Sequence, residues 1–466
     1  MQKPCHSYIL PIGGTATAAL AGLLHSAGQR VSGVDAALYP PMSELLAALG
    51  IPVRIGFDPA GIPADIDRVI IGNAVPRSNV EVQAVLERGI PYTSQAAAFG
   101  DDFCATARAV VVAGTHGKTT TTALVAHVLT AAGLDPTALI GGVPRGGTPW
   151  RLGHGGWTVV EGDEYNTAFF DKGPKFLHYH PHLFVVGNIE FDHGDIYADL
   201  DAILAAFRAG VARVGSDGFV VANAGDQGAS SVASGHRRVV WYGSGDGVDL
   251  RARSWSAGVD GIVADLAWHG EPFTVTVPLV GRHNLDNLLA GCACALLAGV
   301  SPAALAAATA TFPGVRRRLE LLGEAGGIAV VDDFAHHPTA VRLTLEGART
   351  RFPGRRLVVV FEPRSLTAGR AAFAEAYERA LAAADVALIA PVFHRKRLAP
   401  EQLLDRDRLA VALRRSGCTA AALADDADPL PAVRAVLRPG DVVVAMSSGD
   451  FGGLPRRLLA ALQERQ

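Results

Sequence analysis

The sequence predicts an α/β protein in which three successive units each contain a mainly parallel sheet. Apolar strands alternate with Ala- and Leu-rich helices along nearly the whole chain, as in doubly wound sheets. The length of 466 residues is consistent with two to four domains, because domains usually hold about 100–200 residues. Many strands end in a polar or glycine-containing cluster, and in such sheets ligands bind beyond those ends.

Composition restricts the class of protein before any motif is considered. Hydrophobic residues make up 49% of the chain and charged residues 19%, which indicates a globular protein. The net charge of −3 disfavours nucleic-acid partners, and the lack of a long uncharged apolar stretch disfavours a membrane partner. The N-terminus has no secretory-signal pattern, so we expect a cytoplasmic location. Cys292 and Cys294 lack metal-site spacing and are expected to be buried small residues.

The first unit, residues 1–107, begins with the apolar strand SYILPI, a glycine turn and an Ala/Leu-rich helix. The next strand, RVSGVD, ends at Asp35. The turn Gly13-Gly14-Thr15 is a weak signal for dinucleotide binding, because Pro11 stands where the first glycine of the three-glycine pattern would be. A nicotinamide-dependent dehydrogenase is therefore an alternative, although it leaves the motifs of the second unit unexplained.

The second unit, residues 108–311, contains the strongest motif of the chain. An apolar strand is followed by GTHGKT, residues 114–119, and then by a helix, which is the context of a phosphate-binding loop. Backbone N–H groups at a helix N-terminus bind anions, Lys118 would reach the β and γ phosphates, and Thr119 would bind Mg²⁺. A plain glycine turn is the alternative, but four consecutive threonines are poor helix formers.

Three further polar clusters follow in the second unit. EGDEY, residues 161–165, offers the carboxylates that Mg²⁺ prefers, with a solvated acidic loop as the alternative. NIEFDH, residues 188–193, places His193 beside carboxylates, where it could hold a second cation or belong to a surface turn. Asn284, in GRHNLDN, could pair with adenine or cap a helix.

The third unit, residues 312–466, carries its polar clusters mainly at the ends of apolar strands. Three arginines, 316–318, could stabilise charge during phosphoryl transfer, or form a basic exposed turn. DDFAHHP, residues 332–338, follows one strand, and a polar loop before a helix is its alternative. Arg364, after another strand, could hold a substrate carboxylate or lie in a solvated turn.

In this order, the segments GTHGKTTTT, EGDEY, NIEFDH, GRHNLDN, RRRLE and DDFAHHPT resemble the Mur ligases of bacterial cell-wall synthesis. The resemblance covers nearly the whole chain and implies three domains. Residues 1–107 would form a Rossmann-like domain that binds a UDP-sugar. Residues 108–311 would form a central P-loop ATPase-like domain with a mostly parallel sheet, and residues 312–466 a Rossmann-like domain for the incoming peptide.

The resemblance also implies roles for individual residues, with ATP and Mg²⁺ bound at the central domain. The implied catalytic residues are Lys118, Glu164, His193 and Arg318. Those implied to bind ATP are Gly114, Thr115, His116, Gly117, Lys118, Thr119, Thr120, Asn284, Arg318, Asp333 and His336. The implied metal ligands are Thr119, Glu164 and His193. The UDP-sugar would contact Gly14, Thr15 and Asp35, and the peptide Arg364 and His337.

Other segments indicate which acceptor the resemblance implies. Among them, YPPMS, AFFDKGPKF and FEPRS resemble the members that join the tripeptide L-Ala-γ-D-Glu-meso-diaminopimelate to UDP-N-acetylmuramate during peptidoglycan recycling. The implied reaction phosphorylates the muramyl carboxylate, and the peptide amine then attacks the acyl phosphate. The member that adds L-alanine alone is the alternative, and a non-catalytic nucleotide-binding regulator is a remote one. We expect a monomer or a weak dimer.

Overall fold

The computed structural model describes residues 5–194 and 196–464, which form three sheets flanked by helices. The sheets have five, ten and six strands, and most neighbouring strands are parallel. The α/β fold with three mainly parallel sheets, predicted from the alternation of strands and helices, is confirmed. The predicted domain bounds at 107/108 and 311/312 remain predictions.

The first sheet is entirely parallel, with the strand order β3-β2-β1-β4-β5. Its strands are β1 His6–Leu10, β2 Arg30–Asp35, β3 Val53–Ile55, β4 Arg68–Ile71 and β5 Tyr92–Ser94. Its helices are α1 Thr15–Ser26, α2 Met42–Ala48, α3 Val80–Glu87 and α4 Gln95–Phe99. The sequence did not indicate β3 and β5, because strands of three residues are too short to show a hydrophobic period.

The second sheet has the order β15-β14-β13-β12-β11-β10-β6-β9-β7-β8, with antiparallel pairs at both edges. Its strands are β6 Arg108–Ala113, β7 Thr137–Leu139, β8 Trp150–Arg151, β9 Trp157–Gly162, β10 Pro181–Val186, β11 Phe219–Asn223, β12 Val239–Gly243, β13 Leu250–Gly258, β14 Gly261–Trp268 and β15 Glu271–Val277. Its helices are α5 Lys118–Ala131, α6 Leu200–Val211, α7 Gln227–Ala233, α8 Arg282–Leu297 and α9 Pro302–Ala310.

The third sheet has the order β16-β17-β21-β18-β19-β20, and only the edge strand β16 is antiparallel to its neighbour. Its strands are β16 Glu320–Ala325, β17 Ile328–Asp333, β18 Leu357–Phe361, β19 Val386–Ile389, β20 Thr419–Ala422 and β21 Val442–Met446. Its helices are α10 Pro338–Arg351, α11 Ala374–Leu381, α12 Arg406–Arg415, α13 Pro429–Val436 and α14 Leu454–Gln463.

The central strand β6 shows why the second sheet is buried on both faces. Val110 and Val112 belong to one apolar cluster, whereas Val111 and Ala113 belong to another on the opposite face. This alternation is the period of two expected of a strand with helices on both sides. The strand therefore holds the loop that follows it, at residue 114, in a rigid position.

The first and second sheets share one apolar cluster, which joins α1 to the region of β7 and β8. The indole of Trp150 lies against Gly22 of α1, where a Cβ would come within 2.4 Å of the ring, and its Nε1 donates to Ser26 Oγ at 3.3 Å. Cys292 and Cys294 are fully buried in α8, as predicted. Across the described residues, the structure contains no helix with the length and apolar character needed to cross a membrane.

Candidate functional site

The loop between β6 and α5 has the backbone of a phosphate-binding turn. Gly114 and Gly117 have φ angles of 139° and 84°, which favour glycine over residues with a Cβ. Asn188, after β10, clamps the loop: its backbone oxygen accepts from Thr115 N at 2.9 Å and its Oδ1 from His116 N at 2.8 Å. The first N–H groups of α5 lack intrahelical acceptors and remain available to an anion.

Lys118, the first residue of α5, is held over the loop by four oxygen atoms, the most distant being Thr115 O at 3.4 Å. Its Nζ donates to Gly114 O at 2.7 Å and lies 2.8 Å and 3.2 Å from the two carboxylate oxygens of Glu164. Burial lowers the pKa of Lys118, but the nearby carboxylates of Glu164 and Asp163 outweigh it and raise the pKa above its ordinary value. The side chain is therefore a permanent cation at the position where phosphate charge would lie.

Glu164 connects Lys118 to the loop after β10. The Glu164 residue is only 3% exposed, and its Oε1 lies 3.1 Å from His193 Nε2. Burial lowers the pKa of His193, yet the hydrogen bond and charge of Glu164 and the charge of Asp192 raise it overall. Burial likewise opposes ionisation of Asp192, but the surrounding histidines and the His193 N–H lower its pKa to about 2. Lys118, Glu164, His193 and Asp192 thus form one charged network.

Thr119 belongs to a second group beside this network. Its hydroxyl accepts from Arg318 Nη2 at 3.1 Å. Glu161 accepts from Gly141 N at 2.8 Å. Burial is the main cause of the raised pKa of Glu161, although Thr119 lies close enough to lower the pKa of that carboxyl. Sequence reasoning placed Glu161 in the acidic cluster but chose Glu164 from it. The register could have selected Glu161, because it is still inside β9 and pairs with Val112 next to the loop.

The predicted metal ligands are therefore distributed over two neighbouring groups. Glu164 and His193 are in contact, whereas Thr119 lies beside Glu161. Carboxylate and hydroxyl oxygens converge at the start of α5, which is the donor chemistry that Mg²⁺ requires.

Arg318 reaches the phosphate-binding loop from the segment before β16. Its guanidinium lies 5.0 Å from the centre of the Phe334 ring, and burial lowers its pKa. Asp333, at the end of β17, positions this segment, since its carboxylate accepts from Leu319 N at 2.6 Å and Ala335 N at 2.8 Å. Asp333 therefore fixes the backbone at residues 319 and 335. Backbone N–H groups occupy much of the hydrogen-bonding capacity of its carboxylate.

Two other residues predicted to bind ATP are also engaged within the protein. Nδ1 of His336 lies 3.0 Å from Phe334 O. Asn284 lies in the first turn of α8, donates to Val280 O at 2.8 Å and accepts from Asn287 Nδ2 at 2.9 Å. The Nδ2 and Oδ1 atoms of the Asn284 amide each keep one further hydrogen-bonding position. Pairing with adenine remains a prediction.

His116 and His337, predicted for ATP and peptide, meet at a residue that sequence reasoning missed. Glu190 Oε2 lies 3.4 Å from His116 Nε2 and 3.7 Å from His337 Nδ1, and it accepts from Thr339 Oγ1 at 2.7 Å. Burial opposes ionisation of Glu190, but His116, Thr339 and His337 lower its pKa to about 2. No local pattern marks Glu190, because its partners lie 74 and 147–149 residues away along the chain.

The residues predicted for the UDP-sugar lie together at the ends of β1 and β2. Gly14 precedes α1, and Thr15 is its first residue. Asp35 Oδ2 accepts from Gly13 N at 2.7 Å, and its Oδ1 accepts from Ala36 N at 2.7 Å. The structure brings Gly14, Thr15 and Asp35 to one edge of the first sheet.

Arg364, predicted for the peptide, lies at the carboxyl ends of β18 and β21. Its Nη1 is 3.5 Å from Glu362 and 3.4 Å from Asp450, and its guanidinium stacks 3.9 Å from the centre of the half-exposed Phe393 ring. These ion pairs are long, so the guanidinium can exchange them for a substrate carboxylate. His337, also predicted for the peptide, is not in this group and lies instead with His116.

Three models of one protein family match successive parts of the chain. The Mur ligase family catalytic domain matches residues 6–103, the Mur ligase middle domain residues 158–295, and the Mur ligase glutamate ligase domain residues 317–449. The chain belongs to the Mur ligase family. Family membership makes the chain a ligase, as predicted, and excludes the dehydrogenase and regulator alternatives.

Similar Mur ligases fall into two groups by the acceptor in their names. The UDP-N-acetylmuramate–L-alanyl-γ-D-glutamyl-meso-2,6-diaminoheptandioate ligase of Escherichia coli is 38% identical over 98% of both chains. The UDP-N-acetylmuramate–L-alanine ligase of Kineococcus radiotolerans is 37% identical over 98% of this chain and 96% of its own.

Two solved Mur ligase structures span nearly the whole chain. The murein peptide ligase of Psychrobacter arcticus has 32% identity and a TM-score of 0.77, and the match covers 98% of this chain and 99% of that protein. The UDP-N-acetylmuramate–alanine ligase of Thermotoga maritima has 25% identity and a TM-score of 0.82, with both chains fully covered. The three-sheet architecture is thus the one found in this family.

Proposed function

We propose that this Mur ligase joins L-Ala-γ-D-Glu-meso-diaminopimelate to UDP-N-acetylmuramate with consumption of ATP, in peptidoglycan recycling. The observation that carries the chemistry is the ion pair between Lys118 and Glu164 over a glycine turn, with Arg318 donating to the neighbouring Thr119. The acceptor is supported by the 38% identity to the tripeptide ligase over almost the full length of both chains.

The proposed reaction begins with phosphoryl transfer from ATP to the muramyl carboxylate. Lys118 would leave its pair with Glu164 and contact the β and γ phosphates, while Arg318 would face the transferring group. Both cations are partly buried and held by neighbouring groups, so they need little reorganisation to stabilise developing negative charge. The amine of the peptide then attacks the acyl phosphate, and inorganic phosphate leaves as the amide forms.

We assign the Mg²⁺ ligands to Thr119, Glu164 and His193, and add Glu161 to this set. The metal would neutralise charge on the phosphate oxygens. Glu161 is supported by its position beside Thr119, and Glu164 by its contact with His193 at 3.1 Å. Before nucleotide binds, Lys118 compensates the charge of Glu164, so nucleotide and metal would enter together as this pair separates.

The remaining assignments divide the chain by substrate. Residues 1–107 would bind the UDP-sugar at Gly14, Thr15 and Asp35, and residues 108–311 would bind ATP at the loop, with Asn284 on adenine. Residues 312–466 would supply Arg318, Asp333 and His336 to the nucleotide, and Arg364 and His337 to the peptide. We further propose a cytoplasmic monomer or weak dimer.

A second candidate acceptor is L-alanine, because the Kineococcus ligase that bears this activity in its name is nearly as similar, at 37% identity. The test offers L-alanine and the tripeptide separately to the purified protein with ATP, Mg²⁺ and UDP-N-acetylmuramate. We expect phosphate release and a product of the summed mass with the tripeptide alone. Turnover with L-alanine and none with the tripeptide would reverse the assignment. Phosphate release independent of any acceptor would contradict both.

A further inference from the structure

We propose that His116, Glu190 and His337 form a binding site for a divalent transition-metal ion of the Zn²⁺ type. The three residues come from separate segments: the phosphate-binding loop, the loop after β10, and the residue that caps α10. Their ligand atoms all lie within 4.8 Å of one another. The site is separate from the oxygen-rich group around Thr119 and Glu161, and it does not depend on the substrate proposed above.

The spacing of the ligand atoms is close to that of a tetrahedral metal site. Zinc binds histidine nitrogen and carboxylate oxygen at about 2.0–2.2 Å, which places neighbouring tetrahedral ligands about 3.3–3.5 Å apart. His116 Nε2 and Glu190 Oε2 are 3.4 Å apart, and His337 Nδ1 is 3.7 Å from the same oxygen. All three atoms lie within 4.8 Å of one another, so closure around an ion requires side-chain movements of about 1–1.5 Å.

The chemistry of the donors selects the class of ion. Two imidazoles and one carboxylate are the protein ligands of zinc sites that keep an open position, whereas Mg²⁺ prefers oxygen ligands. Thr339 Oγ1 donates to the Glu190 oxygen at 2.7 Å and orients it, as outer hydrogen bonds do for metal-binding carboxylates. Burial and the charge of His116 lower the pKa of His337 to about 4, which keeps its imidazole in the neutral form that binds metal.

Within the described part of the chain, the proposed ligand atom of His337, Nδ1, is held by one long hydrogen bond, and the opposite nitrogen, Nε2, by none. Its Nε2 is buried and has no hydrogen-bond partner within residues 5–194 and 196–464. The Nδ1 atom accepts a long backbone hydrogen bond from Thr339 N, at 3.4 Å. The ring can therefore turn toward an ion at little cost in hydrogen bonding, in contrast to a histidine with both nitrogens engaged.

A bound ion would tie the second sheet to the third. His116 and Glu190 follow strands β6 and β10, and His337 follows β17, so the ion would bridge structures built on two different sheets. Loading the site would stabilise the contact between them, because an ion that binds only the assembled ligand set favours that arrangement.

The test uses the full-length protein without nucleotide, after treatment with a chelator and in excess Mg²⁺. Zn²⁺ binding is measured by calorimetry, and Co²⁺ serves as an optical probe of tetrahedral coordination. We expect one equivalent of either ion with the wild type and a rise in melting temperature on loading. His337→Ala, His337→Gln and Glu190→Gln should each weaken binding at least tenfold, the order of effect seen for changes at metal sites.

His269→Ala is the matched control, since it removes an exposed imidazole at the turn between β14 and β15 and should leave binding unchanged. Melting curves of the metal-free variants verify folding, and the two His337 variants separate loss of the ligand from loss of packing. Equal binding by wild type and the Glu190 and His337 variants would overturn the proposal. So would the absence of a stoichiometric site in the wild type, or binding that occurs only when ATP is added.

Discussion

Two glycine turns, each between a buried strand and a helix, differ in charge. The turn from Gly114 to Lys118 lies under a buried network of Lys118, Glu164 and His193, with Arg318 close to its helix. The turn at Gly13 and Gly14 has a single carboxylate, Asp35, which accepts from Gly13 N. The first arrangement can stabilise charge that moves during a reaction, whereas the second offers contacts that hold a ligand in place.

The two turns also differ in how strictly they need glycine. Gly117 has a φ of 84°, and a Cβ there would come within 2.1 Å of Asn287 Oδ1. Gly14 has a φ of −69°, and its nearest heavy-atom neighbour would be Thr17 Oγ1 at 3.1 Å. The comparison teaches that strand, turn and helix alone do not define a catalytic loop. The central turn is distinguished by the charged residues around it and by its left-handed backbone.

The largest expected effect follows from removing the cation of the central turn. Lys118→Ala should lower the ligation rate by about 10³-fold or more, because the phosphoryl group loses its main positive partner. UDP-sugar binding, measured by calorimetry, should change less than about twofold. Glu164 is left buried with only His193 to compensate its charge, so a lower melting temperature is also expected. Loss of UDP-sugar binding in a folded variant would show that the two turns are not separate sites.

A pair of carboxylate variants would sharpen the description of the central turn. Glu161→Gln should raise the Mg²⁺ concentration for half-maximal activity at least tenfold, because Glu161 is a proposed metal ligand beside Thr119. Glu164→Gln should shift it less and lower the maximal rate, since Glu164 orients Lys118. Steady-state phosphate release over a Mg²⁺ series measures both. A larger metal shift in the Glu164 variant would make Glu164 the principal ligand.

Matched alanine variants would test the backbone difference. Gly117→Ala should weaken ATP binding and lower stability by about 1–2 kcal/mol, the cost of a left-handed conformation for a residue with a Cβ. Gly14→Ala should cost at most about 1 kcal/mol, because its φ is accessible to alanine. Denaturant unfolding monitored by circular dichroism gives both values. Equal losses in the two variants would contradict the distinction drawn between the turns.

A last effect, seen only in acid, is a loss of stability near the central turn. The folded pKa of Asp192 is about 2, below its ordinary value of 3.8, so its ionised form stabilises the fold above about pH 4. This contribution, about 2 kcal/mol, is lost as the pH falls toward 2. Asp192→Asn should therefore be less stable than the wild type at pH 6, with a difference that shrinks below pH 4. A difference independent of pH would mean that packing, not charge, stabilises this loop.

Local features of the fold were predictable, whereas contacts between distant segments were not. The strand, turn and helix around residues 114–119 could be predicted because the glycines, the lysine and the apolar strand are adjacent in sequence. The edge strand β16 was not predicted, because an edge strand needs only one paired neighbour and this one, ELLGEA, is partly polar.

The site shows the same limit. Lys118 and Glu164 were both selected, but they lie 46 positions apart, so their ion pair could not be predicted from the sequence. Glu190 was missed because its importance arises only where three loops from two sheets meet. Glu161 belongs to the acidic cluster that the sequence indicated, but only Glu164 was chosen from it. The two glutamates stand three residues apart, and only the strand register shows that Glu161 lies beside the strand that leads into the loop.

The bond between Arg318 and Thr119 spans 199 residues and two sheets. If the third sheet and its helices swing away, the guanidinium leaves the phosphate-binding loop with them. A molecule in that open shape would still hold ATP at the glycine turn. It would lack Arg318, one of the two cations proposed to stabilise the transferring phosphoryl group. Idle hydrolysis would then be slow, and nucleotide would be consumed only when the part of the chain that carries the acceptor has arrived.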